Sequence, residues 1–309
     1  MLRVIKPGLQ TTLQGAPRRG VRHFGVPACG PADTLSLALA NRLVGNAPTA
    51  TGLEITYGGF VAAVERACAI AITGAFGGAT VAGRNIAPHR TLHLKPGDEI
   101  DIAPPQIGAR TYLAIRSGFQ ADEMFGAAST YLPAAFGGLS GRVLQAQDRL
   151  AANGLSTYSE TLTTPDAIRP VFTASFALRA CKSAETSLLS RTSQACIFAE
   201  SFVAGRQATR MGLALTGHTL ELASDGKMLS APVFPGLIQC PPSGTPIVLL
   251  ADAQTTGGYP RIASIARCDR HLLGQIRPGN FVQLLARDPD QAATAYREKK
   301  ALLAPWLDG

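Results

Sequence analysis

The densest group of chemically useful side chains lies in the segment from Ala251 to Pro260. In chain order its polar and glycine residues are Asp252, Gln254, Thr255, Thr256, Gly257, Gly258 and Tyr259. Glycine lets the backbone turn sharply and lets a ligand approach its N–H groups. The acid, amide and hydroxyl groups supply donors and acceptors for a small polar molecule. The segment is therefore either a binding loop or a capped turn, because Gly-Gly beside Thr and Asp is also ordinary turn chemistry.

Three further features carry polar chemistry elsewhere in the chain. Ser129 and Thr130 precede the glycine turn at 136–138, and Arg210 stands at a predicted strand start, where it can clamp a carboxylate or phosphate. Glu54 lies in an otherwise apolar strand, which is costly unless the charge is paired or solvated. Taken singly, each residue is best explained by a structural role. As a set with the 251–260 segment, they are better explained by one cleft.

Several classes of site are not indicated. The chain contains no P-loop, no Rossmann fingerprint, no GxSxG elbow and no HExxH helix motif. His89 and His93 are four residues apart but flank a predicted strand start, so surface or partly buried imidazoles are favoured over metal ligands. The six cysteines form no CxxC pair, which favours free thiols in a reducing cytosol. We predict no metal site.

The composition describes a globular chain. Of 309 residues, 46% are hydrophobic and 16% charged, too apolar for extensive disorder. The net charge of +8 can attract an acidic protein partner or anionic ligands, but the basic residues are scattered, so nucleic-acid binding is not favoured. The start lacks a signal-peptide pattern, and the long uncharged stretches are interrupted by glycine or proline. We expect a soluble cytoplasmic protein that does not span a membrane.

Short apolar runs separated by turn signals predict a mainly β fold with a few helices. The predicted strands are 3–5, 9–13, 53–57, 60–65, 69–73, 91–94, 99–103, 110–116, 142–144, 171–178, 196–203, 212–215, 236–239, 247–250, 261–266 and 280–286. Predicted helices follow Pro31, span 270–276 with Asp269 as N-cap, and span 291–306. The polar segment 151–169 is typical of a linker. The boundaries are 1–155 for an N-terminal half, 170–290 for a C-terminal half and 291–309 for a terminal helix.

One internal echo suggests that the halves are related. Residues 94–102 and 276–284 share an order of apolar residue, base, Pro-Gly, Asp or Asn, and alternating apolar positions. At the same offset, 70–78 falls beside 252–258, and in both regions an apolar strand is predicted to run into a Thr- and Gly-rich loop. Duplication of a β unit explains both matches, although Pro-Gly-Asp turns are common. Under this hypothesis the two glycine loops occupy equivalent places in two barrels and face a shared cleft.

Beyond these features, the chain resembles the allophanate hydrolase subunit 2 family, which includes KipA, part of the carboxyltransferase region of urea carboxylase, and the C subunit of 5-oxoprolinase. The resemblance covers 3–286. It is carried by Pro7-Gly8, Thr11-Thr12, Gln14, Gly25-Val26-Pro27, Gly30-Pro31, Asp33, Leu53-Glu54, Thr56, Ser129-Thr130-Tyr131-Leu132, Phe136-Gly137-Gly138, Gly141-Arg142, Arg210-Met211-Gly212, Pro235-Gly236, Ile238-Gln239 and the block from Gln254 to Pro260. The last block is highly specific to the family.

The resemblance implies two cyclophilin-like β-barrel domains in tandem. It implies a hydrolase component, inactive alone, that works with a KipI-like B subunit, together with a LamB/YcsF-like A subunit, to open a lactam or amide using ATP. Asp252 and Tyr259 are then the catalytic candidates. The implied substrate-binding residues are Gln254, Thr255, Thr256, Gly257, Gly258, Arg210, Gln239, Glu54, Ser129 and Thr130. Both oxoprolinase and carboxyltransferase chemistry polarise the oxygen of a small amide-like substrate.

The chain also departs from the family pattern. Gly15, Thr209 and Ala253 stand where relatives usually carry Asp, Asp and Arg, and Ser230-Ala231-Pro232 replaces a common Ser-Glu-Gly. These losses leave room for a divergent substrate or a largely structural role in the complex. Two alternatives to an oxoprolinase role therefore stay open. One is carboxyl transfer from carboxybiotin to a urea-like molecule, which requires biotin, and the other is a non-catalytic KipA-like regulatory binding protein.

Overall fold

Short strands separated by glycine and proline turns build both parts of the chain. The structure, a computed structural model, describes residues 1–154, 158–223 and 228–308. It divides into two compact units, of which the first comprises residues 1–19, 29–172 and 303–309 and the second comprises 20–28 and 173–302. The prediction of a mainly β fold is confirmed, and a β-barrel is present.

The first unit is built from two antiparallel sheets. Its strands are β1 (Leu2–Pro7), β2 (Gln10–Gln14), β3 (Gly52–Thr56), β4 (Phe60–Val64), β5 (Cys68–Gly74), β6 (Ala79–Val81), β7 (Arg84–Asn85), β8 (Thr91–Leu94), β9 (Glu99–Ile102), β10 (Arg110–Ile115) and β11 (Arg149–Leu150). One sheet has the order β11-β1-β4-β9-β6-β7 and the other β2-β3-β10-β5-β8. Inward-facing apolar side chains of both sheets form one core cluster, which includes Phe60, Leu113 and Phe119.

Helix α1 (Thr34–Leu43) packs against β5 and β10 of the first unit. Its N-cap is Asp33, whose carboxylate accepts hydrogen bonds from the backbone N–H groups of Leu35 and Ser36 at 3.1 and 3.0 Å. At this position a short polar side chain satisfies N–H groups that lack partners within the helix.

The second unit contains a closed barrel. Its strands are β12 (Ser175–Lys182), β13 (Ser201–Ala208), β14 (Gly212–Thr216), β15 (Ala231–Pro232), β16 (Leu237–Gln239), β17 (Ile247–Leu249), β18 (Thr256–Gly257), β19 (Arg261–Ile265) and β20 (Phe281–Arg287). The barrel order is β12-β19-β16-β17-β14-β13-β20, and the parallel pairing of β20 with β12 completes the ring. Strands β15 and β18 form a separate two-stranded ribbon. The remaining helices are α2 (Arg191–Ala199) and α3 (Pro289–Leu307).

One predicted strand is wrong and two are wrong in part. Residues 142–144 form no strand, 171–174 precede β12 rather than belong to it, and 196–199 are the end of α2. Ser190 caps that helix by accepting from the Ser193 N–H at 3.3 Å, a start signal that the short apolar run 195–198 concealed. At 270–275 the helix is a 3-10 helix, and the Asp269 side chain makes no capping bond because it accepts from Arg179 instead. Residues 155–157 of the predicted linker lie outside the described residues.

The echoed segments form the same turn in each unit. In the first, the Lys95 N–H donates to Asp98 Oδ2 at 2.7 Å, and in the second the Arg277 N–H donates to Asn280 Oδ1 at 2.8 Å. The shared hydrogen bond gives the duplication hypothesis local support, since it shows that Asp and Asn have the same task. Within the described ranges, no helix is long and apolar enough to cross a membrane.

Candidate functional site

The 251–260 loop follows β17 and is fastened along a neighbouring segment of the second unit. Within the loop, Thr256 and Gly257 form β18, which pairs with β15. The Val233 N–H donates to the Thr255 carbonyl at 3.0 Å, and the Met228 N–H donates to the Gly258 carbonyl at 3.0 Å. The loop therefore has a defined backbone, as a binding loop with fixed donors requires.

Beneath the loop lies a buried ion pair. The Nε and Nη2 groups of Arg210 donate to the two carboxylate oxygens of Asp252 at 2.8 and 2.9 Å. The side chains are only 5% and 2% exposed, and the Asp252 N–H also donates to the Arg210 carbonyl at 2.9 Å. A two-pronged contact of this kind fixes both the position and the orientation of the carboxylate. Asp252 is thus held by Arg210, 42 positions away in the chain.

A second, partly buried contact joins two predicted binding residues. Gln254 Nε2 donates to Gln239 Oε1 at 3.2 Å, and Gln239 Nε2 donates to the Tyr259 carbonyl at 3.2 Å. A Cβ placed on Gly257 would lie 2.6 Å from Gln239 Nε2, so a larger residue there would displace the Gln239 side-chain amide. The Gln239 side-chain amide therefore contacts the loop at Gln254, Gly257 and Tyr259 and holds the backbone at Gly257 in place.

The polar residues of the loop differ in their exposure to solvent. Tyr259 is 44% exposed and Thr256 is exposed, whereas Gln254 and Thr255 are half-buried. Gly257 and Gly258 are also half-buried. A phenol and hydroxyl groups over a fixed amide and a fixed ion pair can hold a small polar molecule by hydrogen bonds. The structure thus brings together every predicted site residue of the second unit.

Glu54 belongs to the first unit and lies in a buried network of its own. It is 1% exposed and accepts from the Tyr112 hydroxyl and the Ala32 N–H, both at 2.8 Å. Its other oxygen lies 3.2 Å from Arg110 Nε. Burial, followed by the nearby Glu54 charge, raises the pKa of Tyr112 well above its ordinary value. The charge that looked costly in the sequence is thus paired.

Ser129 and Thr130 also belong to the first unit, and both are fully buried. The Gly15 N–H donates to Ser129 Oγ at 2.9 Å, and Ser129 Oγ donates to the Ala16 carbonyl at 3.1 Å. Thr130 Oγ1 donates to the Leu13 carbonyl at 2.9 Å. The Thr130 hydroxyl therefore fastens β2 to the 129–130 segment, and the Ser129 hydroxyl fastens the residues just after β2, which is the structural interpretation that each residue favours singly.

The sequence reasoning missed the arginines around the loop. Arg261 donates from its backbone N–H and from Nε to Glu185 Oε2 at 2.6 and 2.9 Å, and this pairing lowers the pKa of Glu185. Arg22 donates through Nη2 to the Val233 carbonyl. Arg270 lies over the Phe234 ring, with its Cζ 5.3 Å from the centroid. No sequence pattern marks them, because Arg22 and Arg261 contact residues 211 and 76 positions away in the chain.

The two histidines weighed as metal ligands have separate partners. His89 Nδ1 lies 3.4 Å from Thr164 Oγ1, whereas His93 Nε2 lies 3.2 Å from the Glu160 carbonyl. Among the described residues, no group of three or more His, Cys, Asp or Glu side chains is placed to hold a metal ion.

Residues 24–286 match the family described as carboxyltransferase domain, subdomain A and B, and the chain belongs to that family.

Within the family, the chain is 34% identical to the C subunit of 5-oxoprolinase from Escherichia coli, over 97% of its own length and 96% of that protein. It is likewise 34% identical to the C subunit of 5-oxoprolinase from Haemophilus influenzae, over 98% of its length and 96% of that protein. Identity to the urea amidolyase of Saccharomyces cerevisiae is 27%, with 18% of that longer protein covered. The family resemblance expected from the sequence is confirmed.

Solved structures agree on the fold. The chain matches K. lactis urea amidolyase with a TM-score of 0.93 at 24% identity, covering 99% of this chain and 20% of that one. It matches TTHA0988 with a TM-score of 0.82 at 33% identity, covering 92% of this chain and 56% of that one. The chain thus spans a fifth of the amidolyase and about half of TTHA0988.

Proposed function

We propose that this chain is the C-type component of an ATP-dependent 5-oxoprolinase complex. The observation that carries the proposal is the near-full-length similarity, at 34% identity, to two proteins named as the C subunit of 5-oxoprolinase. The ordered loop at 251–260 is consistent with it, since a lactam offers one N–H donor and one carbonyl acceptor. The loop provides hydroxyls, amides and backbone groups that match both.

The residue roles follow from the contacts. Arg210 engages both oxygens of Asp252, so we assign this carboxylate an orienting role at the base of the loop rather than direct proton transfer. Tyr259 is 44% exposed, and under this proposal its phenol contacts the substrate. The hydroxyls of Thr255 and Thr256 and the backbone at 257–258 polarise the lactam carbonyl under this proposal.

ATP is the co-substrate of the complex, and we place it on a partner protein. The buried cation of the loop site is already paired with a carboxylate, and its glycines are not followed by the Lys-Ser/Thr pair that grips phosphates. We therefore propose that the chain is inactive alone. Its partners in the proposal are a KipI-like B subunit together with a LamB/YcsF-like A subunit.

The test is reconstitution with both partner types. The complex is expected to form glutamate and ADP in equal amounts from 5-oxoproline and ATP, whereas each component alone forms neither. Tyr259→Phe is expected to lower the rate about tenfold or more if the phenol hydroxyl assists the reaction. A matched control is Tyr296→Phe on α3, a residue that stacks with Arg267. A complex that binds stably but forms no glutamate contradicts the proposal and favours the KipA-like regulatory role.

Carboxyl transfer to a urea-like molecule is the second candidate, because the chain is also 27% identical to urea amidolyase. It predicts that a carboxylated biotin carrier protein loses its carboxyl group to urea when this chain and its partner are added. Transfer without ATP-dependent opening of 5-oxoproline would favour this role over the first.

A further inference from the structure

Arg22 and Arg270 differ from the other well-contacted arginines of the second unit in having no acidic partner. Arg179, Arg210 and Arg261 each form an ion pair with a carboxylate. Within residues 1–154, 158–223 and 228–308, neither Arg22 nor Arg270 does so. Both are nevertheless half-buried, and burial lowers the pKa of each guanidinium, with the charge of Arg267 adding to the effect at Arg270.

The two guanidinium groups contact the same short segment, residues 233–236. Arg22 Nη2 donates to the Val233 carbonyl. Arg270 covers the Phe234 ring, and a Cβ placed on Gly236 would lie 2.7 Å from Arg270 Nε. Gly236 also has a φ of +91°, so both its conformation and the approach of Arg270 require glycine. The absence of a side chain at position 236 therefore leaves room for Arg270 to lie against the segment.

This segment borders the candidate site. The Val233 N–H donates to the Thr255 carbonyl at 3.0 Å, and the adjoining β15 pairs with β18 of the loop. Two half-buried positive charges without acidic partners among the described residues, next to a loop of polar donors, attract an anion, because pairing would offset the cost of burying them.

We propose that Arg22 and Arg270 form a receiving site for the carboxylate of a small ligand bound at the 251–260 loop. The inference rests on the proposed function in one respect, namely that 5-oxoproline is a lactam carrying such a carboxylate. The inference adds a contact that distinguishes 5-oxoproline from other small amides, because urea and simple lactams carry no carboxylate.

Carboxylate fits this place better than phosphate. Phosphate sites are usually lined by free backbone N–H groups. Here the N–H groups of Val233, Gly236 and Leu237 already donate to carbonyls of Thr255, Leu249 and Phe234, at 3.0, 2.7 and 3.1 Å. Two of the Arg270 donor groups are also occupied, Nε by the Ile265 carbonyl at 3.1 Å and Nη2 by Ser264 Oγ at 3.5 Å. The donors that remain suit a ligand with two oxygens.

The test is a titration of the purified chain, labelled with ¹⁵N, in which the arginine Nε–Hε signals are followed. Arg22→Gln and Arg270→Gln identify the two signals, and Arg206→Gln, which removes an exposed arginine of β13, is the matched control. The probes are 5-oxoproline, 2-pyrrolidinone as the same lactam without the carboxylate, acetate and inorganic phosphate.

We expect 5-oxoproline and acetate to shift both signals and 2-pyrrolidinone to shift neither. Each of Arg22→Gln and Arg270→Gln should weaken 5-oxoproline binding about tenfold or more, while Arg206→Gln leaves it unchanged. Equal binding of 2-pyrrolidinone and 5-oxoproline would overturn the inference. So would phosphate binding tighter than either carboxylate, or equal effects of the control and the two test variants.

The test also separates this inference from the proposed function. Binding of acetate but not 5-oxoproline at the pair supports a carboxylate site and counts against the lactam substrate. If the reconstituted complex opens 5-oxoproline at an unchanged KM in both variants, the function stands and the carboxylate site is refuted.

Discussion

Replacing Asp252 by Asn tests whether the buried ion pair holds the loop. The substitution keeps the size of the side chain but removes the charge that faces the 5%-exposed Arg210 guanidinium across the two-pronged contact. Breaking a buried pair in this way typically costs about 3–5 kcal/mol. Because Asn can still accept one hydrogen bond from the guanidinium, we expect a loss of about 3 kcal/mol in the free energy of unfolding of the second unit.

The partner and double variants make the prediction specific. Arg210→Met alone leaves a buried carboxylate unpaired and should cost a similar amount. The double variant, Arg210→Met with Asp252→Leu, replaces both charges by apolar groups of similar volume. Such replacements are often neutral, so the double variant should recover most of the stability, giving a coupling energy of about 2 kcal/mol or more.

Urea unfolding followed by hydrogen exchange on β14 and β17 measures this loss, since these neighbouring strands of the second unit pair with each other. The single tryptophan, Trp306, belongs to the first unit, so its fluorescence serves as an internal control and should keep its urea midpoint. A loss below about 1 kcal/mol for Asp252→Asn would refute the reasoning. A double variant that loses as much as the two single variants together would refute it too.

Three further predictions concern the first unit and use the same tryptophan signal. Burial lowers the pKa of His89 to about 4. As the pH falls, the unfolded chain therefore binds a proton at His89 before the folded chain does. The free energy of unfolding should fall by about 3 kcal/mol between pH 6.5 and 4. His89→Gln should abolish this loss if the unit otherwise stays folded. Glu54→Gln should cost about 3 kcal/mol at pH 7, because Arg110 is left buried beside a neutral group, and an unchanged urea midpoint would contradict this. Gly138→Ala should destabilise the first unit far more than Gly126→Ala. A Cβ at position 138 would lie 1.9 Å from Thr130 Oγ1, whereas position 126 has a similar φ and open space around it. Equal losses in the free energy of unfolding would disprove this steric explanation.

Local sequence signals predicted most of the strands because characteristic turn residues mark where the strands begin and end. Pro-Gly-Asp and Pro-Gly-Asn turns precede β9 and β20, and each closes with the same side-chain hydrogen bond. The misread segment at 196–199 had no such mark. Its apolar run is too short to distinguish strand from helix by period, and the Ser190 cap lies several residues upstream.

The candidate site could be predicted only in part, for a reason that lies in tertiary structure. The loop residues adjoin one another in the chain and share one chemistry, so the pattern exposes them together. The pairing of Arg210 with Asp252 and the approach of Arg22 to Val233 join residues far apart in sequence. No periodicity or spacing encodes such contacts. Glu54 illustrates the same limit, since an acid in an apolar strand reads alike whether it binds substrate or pairs with Arg110.

The departures from the family pattern near the site now have a physical interpretation. Thr209 stands where relatives usually carry Asp, and its Oγ1 accepts from the Met211 N–H at 3.1 Å, the task that an Asp side chain performs in such a turn. Ala253 stands where relatives usually carry Arg, and it is fully buried in a small apolar cluster with Val233, Leu237 and Leu249. The local structure thus accommodates both departures beside the Arg210–Asp252 contact, one through a turn hydrogen bond and the other through apolar packing.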